Sequence, residues 1–173
     1  IFYKDSIETL HPKRTIKSLY LDTVDFQLYR DSLLNDIDKL KIRFRQYPSK
    51  DSDIYKELKV NSVNGKEKSS LKSSYKKFED IKSERYKNFI LQPSLFVEYE
   101  RQYYSIEGEV RVTIDQNIRY SAPKNRSLLS KEIKSKETII EFKLLNDKVQ
   151  DIEQTFYKNS FAFSKYLVGI NKI

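Results

Sequence analysis

Apolar and polar residues alternate at every second position along most of this chain, the mark of half-buried β-strands. Lys39 to Tyr47 (KLKIRFRQY) is the cleanest case, setting Leu40, Ile42 and Phe44 against Lys41, Arg43 and Arg45 until Pro48 stops it. Thr15–Asp22, Ile54–Asn61, Lys66–Leu71, Leu95–Tyr104, Glu109–Ile118 and Thr138–Leu145 read as further strands. Asn64-Gly65 and Glu107-Gly108 supply hairpin turns between neighbouring pairs. Helical spacing is sparser. Asp25 reads as an N-cap for a helix carrying Phe26, Tyr29 and Leu33 through Asn35, and helical character returns over Asp151–Lys158 and Phe163–Gly169. Lys72–Phe89 is Lys-rich and helical or irregular, and Ser121–Lys136 is a basic Ser/Lys/Pro loop. Many strands, few helices and hairpin connections predict an α+β fold, mainly antiparallel β, either closed as a barrel or covered by helices.

A strand sends alternate side chains to opposite sides, so the pattern also predicts what each face carries. Leu58 and Val60 oppose Glu57 and Lys59; Val110, Val112 and Ile114 oppose Glu109, Arg111, Thr113 and Asp115; Ile140, Phe142 and Leu144 oppose Glu141 and Lys143. Tyr99, Arg101 and Tyr103 share a side. One face is apolar and the other gathers cations with a few carboxylates. An ordinary solvated face mixes both signs evenly. Here Lys41, Arg43, Arg45, Lys59, Lys68, Arg101, Arg111 and Lys143 outnumber Glu57, Glu109, Asp115 and Glu141. Like charges on neighbouring strands repel by about 1 kcal/mol at 4 Å in bulk water, which a bound polyanion would offset.

Composition narrows the chemistry. The 173 residues suffice for one domain, and 33 Lys+Arg against 25 Asp+Glu give a net charge of +8. There is no Cys, which excludes disulfides, thiolate metal sites and Cys nucleophiles, and the single His11, before Pro12, reads as a loop residue. No apolar run approaches the ~20 residues of a membrane-spanning helix. Met is absent even at position 1, so the natural N-terminus is expected to lie elsewhere. Nucleic acid would call for exposed aromatics beside the cations; Tyr99 and Tyr103 could serve, but Lys41-Arg43-Arg45 has no aromatic on its own face before Tyr47. Carboxylates among the cations suit instead a divalent ion bridging to phosphate.

The segments SLYLDTVDFQLYRD (Ser18–Asp31), KIRFRQY (Lys41–Tyr47), KELK (Lys56–Lys59), FVEYERQYY (Phe96–Tyr104), VRVTIDQNIRY (Val110–Tyr120), IIEFKL (Ile139–Leu144) and FSKYLVGI (Phe163–Ile170), in that order, resemble the VTC domain. This is the polyphosphate-polymerase domain of vacuolar transporter chaperones and their bacterial relatives, within the triphosphate tunnel metalloenzymes. The resemblance implies a single domain over residues 1–173, built as a closed antiparallel β-barrel with a basic lumen and a few covering helices. It implies that Arg43, Arg45, Lys59, Arg101 and Arg111 act on the triphosphate. Lys41, Lys68 (or Lys66), Tyr99, Lys143, Ser164 and Lys165 would be phosphate contacts. Glu141, and with it Glu57, would hold Mn²⁺ or Mg²⁺. Glu141 also reads as a salt-bridge partner, Glu57 as a partner of Lys59 or Arg45, and Ser164 as a helix cap. Family members open with a charged E-x-K-Y type strand that Ile1–Asp5 does not supply, so that strand is expected to be missing; the Pro common after the E-x-K strand is replaced by Val149-Gln150.

The implied activity is transfer of phosphoryl groups from ATP to a growing polyphosphate chain. A tunnel triphosphatase and a non-catalytic polyphosphate or nucleotide-binding module stand as alternatives, with a nucleic-acid binder a third class. ATP and polyphosphate are the expected partners, with no specific nucleic acid. The expected location is the cytoplasm, or the inner membrane face through other parts of a longer protein.

Overall fold

The computed structural model describes residues 7–34, 39–48, 53–123, 132–144 and 162–173. Among these residues nine strands form the body: β1 (Ile7–Asp22), β2 (Lys39–Gln46), β3 (Ile54–Ser62), β4 (Gly65–Lys72), β5 (Glu84–Tyr86), β6 (Phe89–Ile106), β7 (Val110–Ser121), β8 (Ile133–Lys134) and β9 (Ile139–Leu144). Two α-helices among the described residues accompany them, α1 (Gln27–Leu34) and α2 (Lys165–Lys172). The strands follow one path, β4-β3-β2-β1-β6-β7-β8, with β5 added to β6 and β9 to β7. Every pairing is antiparallel. Among the described residues no pairing joins β4 to β8 or β9, so the sheet is open there and the expected closed barrel is not seen.

Two strands run longer than the alternation predicts, each through a proline. β1 begins at Ile7 rather than Thr15, and β6 at Phe89 rather than Leu95. Pro12 and Pro93 are carried at irregularities: the β1–β6 register shifts on both sides of His11 and again between Tyr20 and Leu21, opposite Pro93. A proline needs no ladder donor at a bulge. His11 is therefore a strand residue, its ring edge-on to Tyr103 with centroids 5.4 Å apart. Lys72–Phe89 contains a short 3₁₀ turn at Phe78–Asp80 and β5, and the far end of the Ser121–Lys136 loop forms β8. Asp151–Lys158, Ile1–Asp5 and Val149-Gln150 lie outside the described residues.

The helix cap is also reassigned. Asp22, fully buried at the end of β1, accepts hydrogen bonds from the backbone N–H groups of Leu28 (2.9 Å) and Tyr29 (3.0 Å), and Thr23 Oγ1 accepts from Gln27 N at 2.8 Å. Asp25 instead pairs with Arg30 at 2.5 Å on the surface. Asp22 also accepts from the hydroxyl of Tyr166, so one carboxylate fastens β1, α1 and α2 together.

Apolar clusters occupy both faces of the sheet. On one face Leu19, Leu21, Ile42, Phe44 and Ile54 pack with Ile81, Tyr75 and Phe78 of the segment between β4 and β5. This irregular segment, rather than a set of helices, covers much of the apolar face. On the other face Ile16, Tyr20, Leu95, Val97, Ile118 and Tyr120 pack under Tyr166 of α2. Gly169 makes that docking possible: a Cβ there would lie 2.6 Å from Tyr120 Cδ1 and closer still to Leu95 Cδ2. Gly169→Ala should push α2 off the sheet and lower unfolding free energy by about 1–3 kcal/mol in urea titration, more than helix propensity alone would restore.

A candidate anion site on the cationic face

The register places the charged residues of separate strands on one face. Lys41 lies opposite Lys59, and Lys59 opposite Lys68; Arg43 lies between Tyr20 and Glu57, and Arg45 between Ser18 and Tyr55. Across β1, Ile16 pairs with Tyr99 and Arg14 with Arg101; then Arg101 pairs with Asp115, Thr113 with Glu141, and Arg111 with Lys143. Lys66 falls on the same side as Lys68, nearer the β3–β4 turn.

Two buried carboxylates organise the centre. Glu57 Oε2 accepts from Arg43 Nε at 2.7 Å and lies 2.6 Å from Arg43 Nη2 and 3.6 Å from Arg45 Nη1. Asp115, whose side chain is 1% exposed, takes a two-pronged contact from Arg101 (Nε 2.5 Å, Nη2 2.7 Å) and lies 2.5 Å from Lys165 Nζ. Neutral groups complete the guanidinium partners: Tyr20 Oη accepts from Arg43 Nη1 at 3.0 Å, Ser18 Oγ from Arg45 Nε at 3.2 Å, and Tyr99 Oη from Arg45 Nη2 at 3.3 Å. Each arginine is thereby oriented as well as partly neutralised.

The N-terminus of α2 reaches into the same cluster. Ser164 Oγ caps the helix by accepting from Leu167 N at 3.4 Å, and it also accepts from Lys41 Nζ at 3.1 Å. Lys165 follows, over the Tyr99 ring at 4.8 Å and bound to Asp115. The helix start thus ties β2 to β7 across the intervening strands.

Burial by itself would raise the carboxyl pKa of Glu57, but Arg43 and Arg45 outweigh it and hold it below its ordinary value. Burial likewise works against ionised Asp115, and Arg101 and Lys165 overcome it, again depressing the pKa. Lys41 is pushed below the ordinary lysine value, first by burial and then by Lys59, Lys39 and Arg43, despite the opposing influence of Tyr20. Burial drives the Tyr99 hydroxyl up to about 12.

The edges are wetter. Lys59, Lys66, Lys68 and Arg111 are exposed, and no carboxylate among the described residues ion-pairs with any of them. Glu141, 46% exposed, lies 3.3 Å from Lys143 and 3.9 Å from Arg101. No group of three His, Cys, Asp or Glu side chains suited to a metal occurs among the described residues. The donor chemistry separates the two carboxylates proposed for a cation. Glu57 is buried and engaged by two guanidiniums, whereas the Glu141 side chain is half-exposed beside Lys143 and Arg101. Of the two, Glu141 has the exposure a cation ligand needs and Glu57, held by Arg43 and Arg45, does not.

This ordered array of seven motifs corresponds to a recognised sequence family: the VTC domain family model matches residues 4–173. The chain belongs to the VTC domain family. No curated protein matches it. Among solved structures, the PH1819 protein of Pyrococcus horikoshii OT3 is similar in fold, with a TM-score of 0.51 and 16% identity over 98% of this chain and 86% of that one. No helix among the described residues of this VTC domain is long and apolar enough to cross a membrane.

Alternation flagged Glu57 and Asp115 as polar-side residues but not the partners that make them the holders of the site. Asp115 was visible as a polar-side residue in VRVTID, but its role depends on β6 and α2 supplying Arg101 and Lys165. Tyr20 and Ser18 sit in SLYLD with no charge to attract notice. Tyr99 is buried beneath Lys165, so it offers no open ring for stacking a base.

The depressed carboxyl values set a pH dependence. A carboxylate whose folded pKa lies below its unfolded value contributes stability above the unfolded value, near 4, and loses it as pH falls through the folded one. Thermal stability should therefore hold from neutral pH to about 5 and fall steeply below about 4. Asp115→Asn should lower stability at pH 7 by about 3–5 kcal/mol, by leaving two buried cations short of their counter-charge, and should flatten the acid limb. Glu57→Gln should flatten it as well. Unchanged acid limbs in both variants would refute the assignment.

Proposed function

We propose that this VTC domain binds a triphosphate or polyphosphate chain along the cationic face and transfers phosphoryl groups from ATP to polyphosphate. The observation that carries the reading is the ladder of Lys41, Lys59 and Lys68. They stand directly opposite one another on β2, β3 and β4 with no carboxylate ion-paired to them among the described residues. Such a row is self-repelling when empty and complementary to a line of phosphates. Family membership points the same way.

In this reading Arg43, Arg45 and Arg101 are held in place by Glu57 and Asp115, so their remaining N–H groups face the phosphates without reorganisation. Lys59, Lys68 (with Lys66 beside it), Arg111 and Lys143 extend the track, and Lys41, Tyr99, Ser164 and Lys165 close it from β2, β6 and α2. The terminal oxygen of the polyphosphate chain attacks the γ-phosphorus of ATP. A new P–O bond forms, the bond from the γ-phosphorus to its bridging oxygen breaks, and ADP departs with the electron pair. The side chains stabilise charge moving onto that bridging oxygen. Because the nucleophile is itself a phosphate, the absence of Cys and of a buried His is no obstacle. Mn²⁺ or Mg²⁺ held by Glu141 and phosphate oxygens would supply additional charge neutralisation. The face would form a tunnel wall closed across the gap between β4 and β9, and use of ATP would place the domain in the cytoplasm or at the inner membrane face.

Incubation with ATP and Mn²⁺ should yield long acid-labile polymer. Orthophosphate alone would identify a triphosphatase, and binding of tripolyphosphate without turnover would identify a binding module. The double variant Lys59→Gln/Lys68→Gln should weaken tripolyphosphate binding by about tenfold or more, each charged contact being worth about 1.5–3 kcal/mol, and leave the melting temperature the same or higher. Tripolyphosphate affinity unchanged in that variant would overturn the assignment of the track.

A further inference from the structure

The opposite side of the sheet holds a cavity of about 630 Å³ that the phosphate track does not use. Its volume is that of a small-molecule pocket. Its floor is apolar: Leu19 of β1 and Phe96 of β6, with Ile81 and Phe78 contributed by the segment that crosses this face. The Phe78 and Phe96 rings meet edge-on, centroids 5.4 Å apart, and Pro93 and Pro123 add flat surface beside them. The rim is cationic. Among the described residues Lys17, Lys76, Lys77 and Lys82 line the cavity against one lining carboxylate, Glu79.

These lysines are not equivalent. Lys17 is occupied by Glu98 at 3.4 Å, and Lys76 by Asp53 at 3.5 Å. Lys77 and Lys82 are exposed and have no ion pair among the described residues. An apolar floor with flat aromatic and proline surfaces beneath two uncommitted ammonium groups matches a ligand that is planar and apolar at one end and anionic at the other. A bare polyphosphate would leave the floor unused, and an aliphatic anion would gain burial there but no ring-to-ring contact with the aromatic pair. We propose that this cavity is a second site, for a nucleoside monophosphate, with the base against Phe78 and Phe96 and the phosphate on Lys77 and Lys82. The inference does not depend on the reading of the cationic face. The two sites are nevertheless back to back: along β1, Lys17 and Leu19 face the cavity while Ser18 and Tyr20 hold Arg45 and Arg43 on the other side.

Calorimetric titration of the whole chain with AMP, ribose 5-phosphate and tripolyphosphate tests this, using the native protein and Lys77→Gln/Lys82→Gln, whose altered side chains are exposed. AMP should bind the native protein, with ribose 5-phosphate at least about tenfold weaker for want of a base to stack. The double variant should weaken AMP about tenfold or more and leave tripolyphosphate affinity within about twofold. No AMP binding up to millimolar concentration, equal affinity for ribose 5-phosphate, or an AMP affinity untouched by the double variant would each overturn the second site. Failure of tripolyphosphate alone to bind would count against the phosphate track and leave this proposal standing.

Discussion

Burying a guanidinium is tolerated only when its lost hydration is replaced by fixed partners, and this requirement shapes the centre of the domain. Arg45 is buried and Arg101 nearly so, and each is placed within reach of a buried carboxylate. Glu57 comes from β3 to meet arginines of β2, and Asp115 comes from β7 to meet an arginine of β6 and a lysine of α2. Three connections of the fold are thereby written into two carboxylates. The same pairs fix the guanidiniums at the centre of the cationic face, while Lys59 and Lys68 at its margin are exposed and carry no ion pair among the described residues.

A second constraint acts at the ends of β1. Asp22 satisfies the first N–H groups of α1 and receives Tyr166 from α2, so both helices are registered to the strand that stands at the middle of the sheet path. Tyr166 then stacks on Tyr20, centroids 5.1 Å apart, and Tyr20 in turn receives Arg43. A continuous chain of contacts runs from the helix cap to the anion site. Lys41 and Ser164 make a parallel connection from the other side of α2.

The alternation in KLKIRFRQY, KELK, VRVTID and IIEFKL was sufficient to place Lys41, Arg43, Arg45, Glu57, Lys59, Arg111, Glu141 and Lys143 on one face, because a paired antiparallel strand allows only two side-chain directions. It was less informative on β6 and the end of β7. There Leu95, Val97, Ile118 and Tyr120 share the cationic face yet are buried, since α2 covers them. Alternation cannot report what sits on top of a face. The strand starts at Ile7 and Phe89 were hidden for a related reason, since the register shifts near Pro12 and Pro93 interrupt the period of two without ending the strand.

What the chain's own letters determined was local and electrostatic: which segments are strands, which side of each carries charge, and that the cations outnumber the carboxylates there. Those follow from a period of two and from residue chemistry, neither of which needs a partner. Tertiary structure decided which carboxylate meets which cation, which tyrosines are buried, that Asp22 rather than Asp25 caps α1, and that a cavity opens behind the arginines. Each of these is a relation between segments far apart along the backbone, as with Asp115 and Lys165 or Phe78 and Phe96, and distance in space between such segments is fixed only when the strands have paired and α2 has docked.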